Sequence, residues 1–182
     1  MNQTLWRMVR VAAVLAGVLI ASGLVGCTTK LKLGRYDLAV TPDASLRDSG
    51  SGKLPLVEVD LIGVSENEIA TWTAQSVDQH FSGENARRAA AKEYTRTFTF
   101  SQDDAVAKTL AANDPIYQVW EKRGVTTLFV FASARTFRVS PGGPDGRRLS
   151  IPMTTDKWEV RKIDLVLKSG GVECATAMKV VK

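Results

Sequence analysis

Apolar residues recur at every second position in residues 36–40 and again in residues 56–62. This is the period of a strand with one buried face. Residues 41–53 lie between them and are rich in Pro, Gly, Asp and Ser, a composition that predicts a loop. The chain is therefore expected to begin its fold with two strands joined by a long polar loop.

A helical period replaces the alternation after the second strand. Ser65 starts a capping-box pattern, and the apolar residues that follow predict an amphipathic helix over residues 65–80. Residues 86–91 favour a short helical piece. An N-cap pattern predicts a further helix over residues 101–111. Residues 114–124 predict another, with Asp and Pro at its start, basic residues in its last turn and Gly at its end.

Five more segments are rich in β-branched and aromatic residues or show alternation, and they favour strands. They are residues 94–100, 125–132, 149–153, 158–167 and 172–180. This element order predicts a mainly β fold: one β-sandwich domain of about seven to eight strands with two or three inserted helices, spanning residues 36–182.

The N-terminal segment has the pattern of a secretion signal. Residues 11–25 carry no charge and follow Arg7 and Arg10, and they are too few for a comfortable membrane span. They end in Leu-Val-Gly-Cys, which resembles the bacterial lipobox. Residues 1–26 are therefore predicted to be a lipoprotein signal peptide, and Cys27 the site of acylation. The alternative is an uncut signal anchor in which Cys27 has no role.

The predicted anchor sets the location of the domain. Thr28 follows Cys27 where an Asp would resemble the inner-membrane retention signal, so the expected location is the periplasmic face of the outer membrane. Cys27 and the short tether occupy residues 27–35. Since residues 28–35 span at most about 27 Å when extended, the domain is expected to lie close to the bilayer.

Composition and charge narrow the function classes. The 182 residues include 24 Lys and Arg and 19 Asp and Glu, for a net charge of +5, and 45% are hydrophobic. These values are ordinary for one globular domain and argue against a disordered tail, a fibrous repeat or a protein with many membrane spans. The basic excess is small and dispersed, so nucleic acid is not an expected partner. A weak attraction to anionic lipid head groups is expected.

Few residues suit catalysis or metal binding. His80 is the single histidine and is expected to be structural, because no Ser lies in a Gly-x-Ser-x-Gly turn and no zinc-ligand spacing is present. The glycine-rich residues 141–146 lack the Lys and the helix start of a phosphate loop. No catalytic, metal or cofactor residue is predicted, apart from the covalent lipid on Cys27.

Two further residue types are expected to be structural. With Cys27 acylated, Cys174 has no disulfide partner; it is expected to be a small buried residue in a strand, with a reactive or intermolecular thiol as the alternative. Trp72, Trp120 and Trp158 lie on patterned faces and are expected in the core.

The order of the first elements resembles a known family. An early strand, a polar loop, a Leu-Pro-Leu-Val-Glu-Val-Asp-Leu strand and a helical insertion are similar to the outer-membrane lipoprotein of type VI secretion systems, the TssJ family. The residue pattern covers residues 36–62, and the element order covers much of the chain after Cys27. The resemblance implies a transthyretin-like β-sandwich without enzymatic activity.

The resemblance also implies a docking role. In the family the loop between the first two strands contacts the periplasmic domain of the large inner-membrane protein of the complex. Carried over by position, the loop is residues 41–53. Leu46 would anchor the contact as the large apolar side chain of a polar loop, unless it folds back on the sandwich. The residues predicted to contact the partner are Ala44, Ser45, Leu46, Arg47 and Asp48.

Two other function classes stay open at this point. An envelope lipoprotein that binds carbohydrate or peptidoglycan would show an exposed aromatic platform. A periplasmic hydrolase would show a cleft on which several ionisable side chains converge.

Overall fold

The computed structural model describes residues 31–102, 106–138 and 143–179. These residues form eight strands and a set of short helices. The strands are β1 (Asp37–Pro42), β2 (Leu54–Ser65), β3 (Thr95–Gln102), β4 (Lys108–Leu110), β5 (Val125–Ala134), β6 (Arg148–Pro152), β7 (Lys162–Lys168) and β8 (Gly171–Cys174). The α-helices are α1 (Ile69–Thr73), α2 (Val77–His80), α3 (Ala86–Ala90) and α4 (Ile116–Arg123), and 3-10 turns cover Ala44–Leu46, Glu66–Glu68 and Lys92–Tyr94.

The strands form two four-stranded sheets, ordered β4-β1-β7-β8 and β3-β2-β5-β6. Strand β1 pairs in parallel with β7, and the other strand pairs of both sheets are antiparallel. The buried residues of both sheets belong to one hydrophobic cluster. The predicted mainly β sandwich is confirmed, and its first two strands lie in different sheets.

The parallel pair gives the domain two distinct ends. Asp37 lies opposite Lys162 at the start of both strands, and Pro42 lies opposite Leu167 near their end. Strands of this length span about 20 Å. We call the end from which β1 and β7 start the base; it consists of residues 31–36, 155–161 and 175–179. We call the opposite end the tip; it consists of residues 43–56, 101–102 and 135–138.

The tryptophans that the structure describes are buried, as the patterning predicts. Trp72, Trp120 and Trp158 are 2%, 0% and 5% exposed. The indole N–H of Trp120 donates to the Tyr94 carbonyl at 2.9 Å, so its polar atom is satisfied inside the core. Gly63 leaves room for this ring, because a Cβ there would lie 2.5 Å from it.

The prediction of a helix over residues 101–111 is wrong. Strand β3 continues to Gln102, and β4 pairs with β1 through Leu38 opposite Leu110. Leu110 is 1% exposed. Burial of this side chain against the sandwich, a long-range interaction, outweighs the local capping pattern.

The single helix expected over residues 65–80 is also corrected. The capping box at Ser65 is present, but it opens a 3-10 turn that leads into α1. A second helix, α2, then starts at a new N-cap, where the Ser76 hydroxyl accepts from the Gln79 amide at 3.1 Å. The break lets both Trp72 and His80 reach the core.

A buried ionic cluster holds this helical insertion against the sheet. Asp60 of β2 is 0% exposed and accepts hydrogen bonds from His80 of α2 at 2.8 Å, Arg88 of α3 at 2.7 Å and Thr97 of β3 at 2.6 Å. Arg88 also pairs with Glu58. Burial raises the pKa of Asp60, but these hydrogen bonds outweigh burial, so the pKa of this carboxyl lies below its ordinary value.

Replacing Asp60 by Asn is expected to lower the free energy of unfolding by about 3 kcal/mol, the low end for a broken buried pair, because Arg88 keeps some contact with water. A carboxyl with a depressed folded-state pKa stabilises the fold above its unfolded-state pKa of about 4 and loses that effect as pH falls. The difference between wild type and Asp60→Asn in urea unfolding should therefore shrink below that pH.

Glu173→Gln is the matched control, because Glu173 forms an exposed pair with Lys168 at 2.6 Å. Its effect should stay below about 1 kcal/mol. Equal effects of the two variants would contradict a stabilising role for the buried cluster.

Candidate functional site

The tip loop between β1 and β2 is built from short-range hydrogen bonds. The Asp43 carboxylate accepts from the Ser45 amide at 2.8 Å and opens the 3-10 turn Ala44–Leu46. This turn directs Leu46 into the core, where it is 0% exposed. The expectation that Leu46 presents itself to a partner is therefore corrected. Its side chain folds back on the sandwich because burial removes a large apolar surface from water.

Asp48 organises the second half of the loop. Its Oδ1 accepts from the amides of Gly50 at 3.0 Å and Ser51 at 2.8 Å, and from the Ser51 hydroxyl at 3.1 Å. These bonds, with those of Ser51 the largest, hold the pKa of the Asp48 carboxyl below its ordinary value. Gly52 adopts a φ of 68°, a left-handed conformation that favours glycine.

Three further hydrogen bonds attach the loop to the sandwich. The Thr136 hydroxyl donates to the Leu46 carbonyl at 3.1 Å, and the Ser169 amide donates to the Ser45 hydroxyl at 3.1 Å. The Asp43 amide donates to the Leu167 carbonyl at 2.8 Å. The loop is therefore pre-ordered, which lowers the entropy lost when a partner binds.

A groove of about 460 Å³ lies beside this loop. Its lining joins the loop, the start of β2, the end of β3 and the residues after β5. These lining residues are Asp48, Ser51, Lys53, Leu54, Pro55, Leu56, Ser101, Gln102, Arg135 and Thr136. The β2–β3 register shifts between Leu54 and Val57, and Leu56, inside this irregular stretch, is 63% exposed.

Sequence reasoning missed Leu56, although a signal was present. Leu56 shares the period-two phase of Glu58 and Asp60, whereas the core residues Val57, Val59 and Leu61 lie in the other phase. An apolar residue on the polar face of a strand is a candidate contact residue.

Positive side chains surround the groove. Arg47, Lys53, Arg135 and Arg138 are exposed at the tip. Among the described residues, the acidic side chain that lines the groove is Asp48, which is engaged in the turn described above. The described part of the rim therefore presents cations around an exposed apolar side chain, which suits a partner surface with an apolar pocket and carboxylates.

The other predicted site residues divide into two groups. Ala44, Ser45, Arg47 and Asp48 are exposed on the loop, so they remain predicted contacts. Cys27, the predicted acylation site, lies outside the described residues.

The described residues do not show prominently the features expected of a carbohydrate-binding lipoprotein or of a periplasmic hydrolase. The large hydrophobic side chains that the described residues expose are aliphatic, whereas sugar binding would call for an aromatic platform. A cavity of about 550 Å³ lies beside α3, and its charged lining residues are Asp60, Arg88, Lys92 and Arg96. Three of these side chains are already paired, because Arg88 contacts Asp60 and Arg96 contacts Asp114.

Cys174 lies at the end of β8 and is partly buried, and its thiol donates to the Thr176 carbonyl at 3.4 Å. Burial raises the pKa of this thiol, which lowers its thiolate fraction.

Of the helices in the described part of the chain, none is long and apolar enough to cross a bilayer.

Comparison with known proteins finds similarity at the level of structure. No protein-family model and no curated protein matches the chain. A chain of the structure described as the T6SS protein TssM C-terminal domain from EAEC aligns with a TM-score of 0.50 and 10% identity, covering 76% of this chain and 98% of that chain.

Two more structures are similar. The T6SS lipoprotein TssJ1 from Pseudomonas aeruginosa has a TM-score of 0.50 and 10% identity, and the alignment covers 83% of this chain and all of that one. A chain of a type VI membrane complex has a TM-score of 0.52 and 11% identity, with 80% and 100% covered. At these identities the likeness shows the fold, which is TssJ-like.

Replacing Asp48 by Ala should loosen the loop, because three hydrogen bonds lose their acceptor. The amides of Gly50 and Ser51 are expected to exchange with deuterium faster, measured by NMR-detected or mass-spectrometric hydrogen exchange. Ser49→Ala is the control, since its side chain forms none of these bonds. Unchanged exchange in Asp48→Ala would show that Asp48 does not order the turn.

Proposed function

We propose that this protein is a lipid-anchored lipoprotein that docks the inner-membrane component of a type VI secretion membrane complex. The observation that carries the proposal is the pre-ordered, cationic tip with exposed Leu56, opposite the base where the chain enters the domain. The TssJ-like fold supports it, as does the appearance of TssM and a type VI membrane complex among the similar structures.

The anchor is the acylated Cys27 on the periplasmic face of the outer membrane. Each buried CH₂ contributes about 0.8 kcal/mol, so two or three acyl chains hold a protein stably where one holds it reversibly. The lipid thus fixes one end of the molecule to a membrane without a spanning segment.

The tip provides the docking contact. Leu56 would insert into an apolar pocket of the partner, and Lys53 and Arg135, which line the same groove, would face carboxylates. Ala44, Ser45, Arg47 and Asp48 would add contacts from the loop. The Leu46 side chain packs in the core and would not contact the partner.

Leu56→Ser should weaken capture of the partner's periplasmic domain about tenfold or more, since a buried Leu at an interface contributes about 1.5–3 kcal/mol. Binding would be measured by surface plasmon resonance with the purified periplasmic domain of the inner-membrane protein. Val160→Ser at the base is the matched control and should bind like wild type. Equal affinity of both variants would exclude Leu56 from the interface.

Replacing both Lys53 and Arg135 by Glu should mainly slow association, because rim charges steer encounter, and the salt dependence of the association rate should reverse. An association rate that salt affects as in wild type would argue against an acidic partner surface.

Cys27→Ala should abolish palmitate labelling and remove the protein from the outer-membrane fraction. Fractionation after labelling with radioactive palmitate measures both effects. An unlabelled wild-type protein that stays in the membrane fraction would instead support an uncut signal anchor and contradict the proposed lipid anchor.

A further inference from the structure

The base of the domain is a continuous surface made from three separate chain segments. The Thr155 amide donates to the Lys32 carbonyl at 3.0 Å, and the Lys179 amide donates to the Lys157 carbonyl at 2.8 Å. An isolated bridge also pairs Leu33 with Thr154. The residues that lead into β1, those that lead into β7 and those that follow β8 are therefore held side by side.

Apolar side chains are concentrated on these segments. Five large hydrophobic residues are exposed in the described part of the chain, and three of them lie on the base. These three are Leu31 at 58%, Val160 at 44% and Met178 at 53%. Single exposed apolar residues are normal on any surface, whereas three on adjoining segments make this end a candidate interaction site.

Exposed cations are sequence neighbours of these apolar residues. Lys32 and Arg161 are exposed on the base, and Lys157 and Lys179 are the cationic partners of its two acidic residues. Asp156 pairs with Lys157 at 3.0 Å, and Glu159 with Lys179 at 3.8 Å. Within these three segments the cations outnumber the acids, so the segments carry a positive excess.

The length of the connection to the anchor indicates what this surface faces. Leu31 is four residues from Cys27, and four extended residues span at most about 14 Å. An acylated Cys27 would thus hold the base within that distance of the lipid head groups. Exposed aliphatic residues interspersed with Lys and Arg are the composition that inserts into an anionic membrane interface.

We infer that the base is a membrane-docking surface that binds anionic lipid head groups and so orients the domain on the bilayer. The inference rests on the lipid anchor of the proposed function and is independent of the partner. In this orientation β1 and β7 run away from the bilayer. The tip is held about 20 Å above the base, facing the periplasm.

The test uses the acylated full chain, with acylation verified by mass spectrometry, reconstituted in vesicles that contain a lipid-borne fluorescence quencher. Met178 is replaced by Cys in a Cys174→Ala background and labelled with a fluorophore. Leu56→Cys in the same background is the matched control at the tip, because both positions are similarly exposed. The vesicles contain phosphatidylethanolamine with phosphatidylglycerol, or phosphatidylcholine alone.

The expected result is strong quenching at position 178 and weak quenching at position 56 in the anionic vesicles. Quenching at position 178 should fall in phosphatidylcholine. It should also fall when Lys32 and Arg161 are replaced by Glu, since each cation near an anionic surface contributes about fivefold to binding. The Lys53 and Arg135 double Glu variant at the tip should leave it unchanged.

Two results would overturn the inference. One is equal quenching at positions 178 and 56, which would mean that the domain moves freely on its tether. The other is fluorophore self-quenching at position 178 that depends on protein density and ignores lipid composition, which would mean that the base binds a second copy of the chain. Loss of acylation would be detected beforehand and would count against the proposed anchor alone.

Discussion

The parallel pairing of β1 with β7 is the constraint on which the two-ended arrangement of the molecule depends. The register from Asp37 opposite Lys162 to Pro42 opposite Leu167 makes both strands start at the base and end at the tip. Parallel strands cannot be joined by a tight turn, and here residues 43–161 lie between these two strands. The segment that enters from the predicted anchor and the loop proposed to dock a partner are therefore separated by the length of a strand.

The interactions that stabilise this two-ended domain differ in strength. The shared core of the two sheets dominates, since each fully buried Leu or Phe contributes about 1.5–3 kcal/mol. The ionic cluster around Asp60 connects α2 and α3 to one sheet, and we expect its effect on stability mainly when one member is removed. Exposed pairs such as Arg35 with Glu121 at 2.8 Å contribute little, because water screens both charges.

Local sequence patterns predicted most of the elements but not their long-range contacts. The helix α4 was predictable because Gly124, with a φ of 67°, ends it by backbone geometry alone. The strand at Leu110 was not, because its partner Leu38 lies far away in the chain. The burial of Leu46 also depends on long-range contacts. The composition of its loop indicated exposure, but in the assembled sandwich its side chain is buried and its carbonyl accepts a hydrogen bond from the Thr136 hydroxyl. The base could not be predicted, since its three segments meet only in the folded domain.

In the proposed function, lipid holds one end of the domain and a partner protein binds the other. The most direct measurement is electron cryomicroscopy of the acylated chain in a lipid nanodisc, bound to the periplasmic domain of the inner-membrane component. We expect partner density over Leu56 and the neighbouring loop, and head-group density against Met178, about 20 Å away. Partner density over Met178, or a domain lying with the tip on the bilayer, would contradict it.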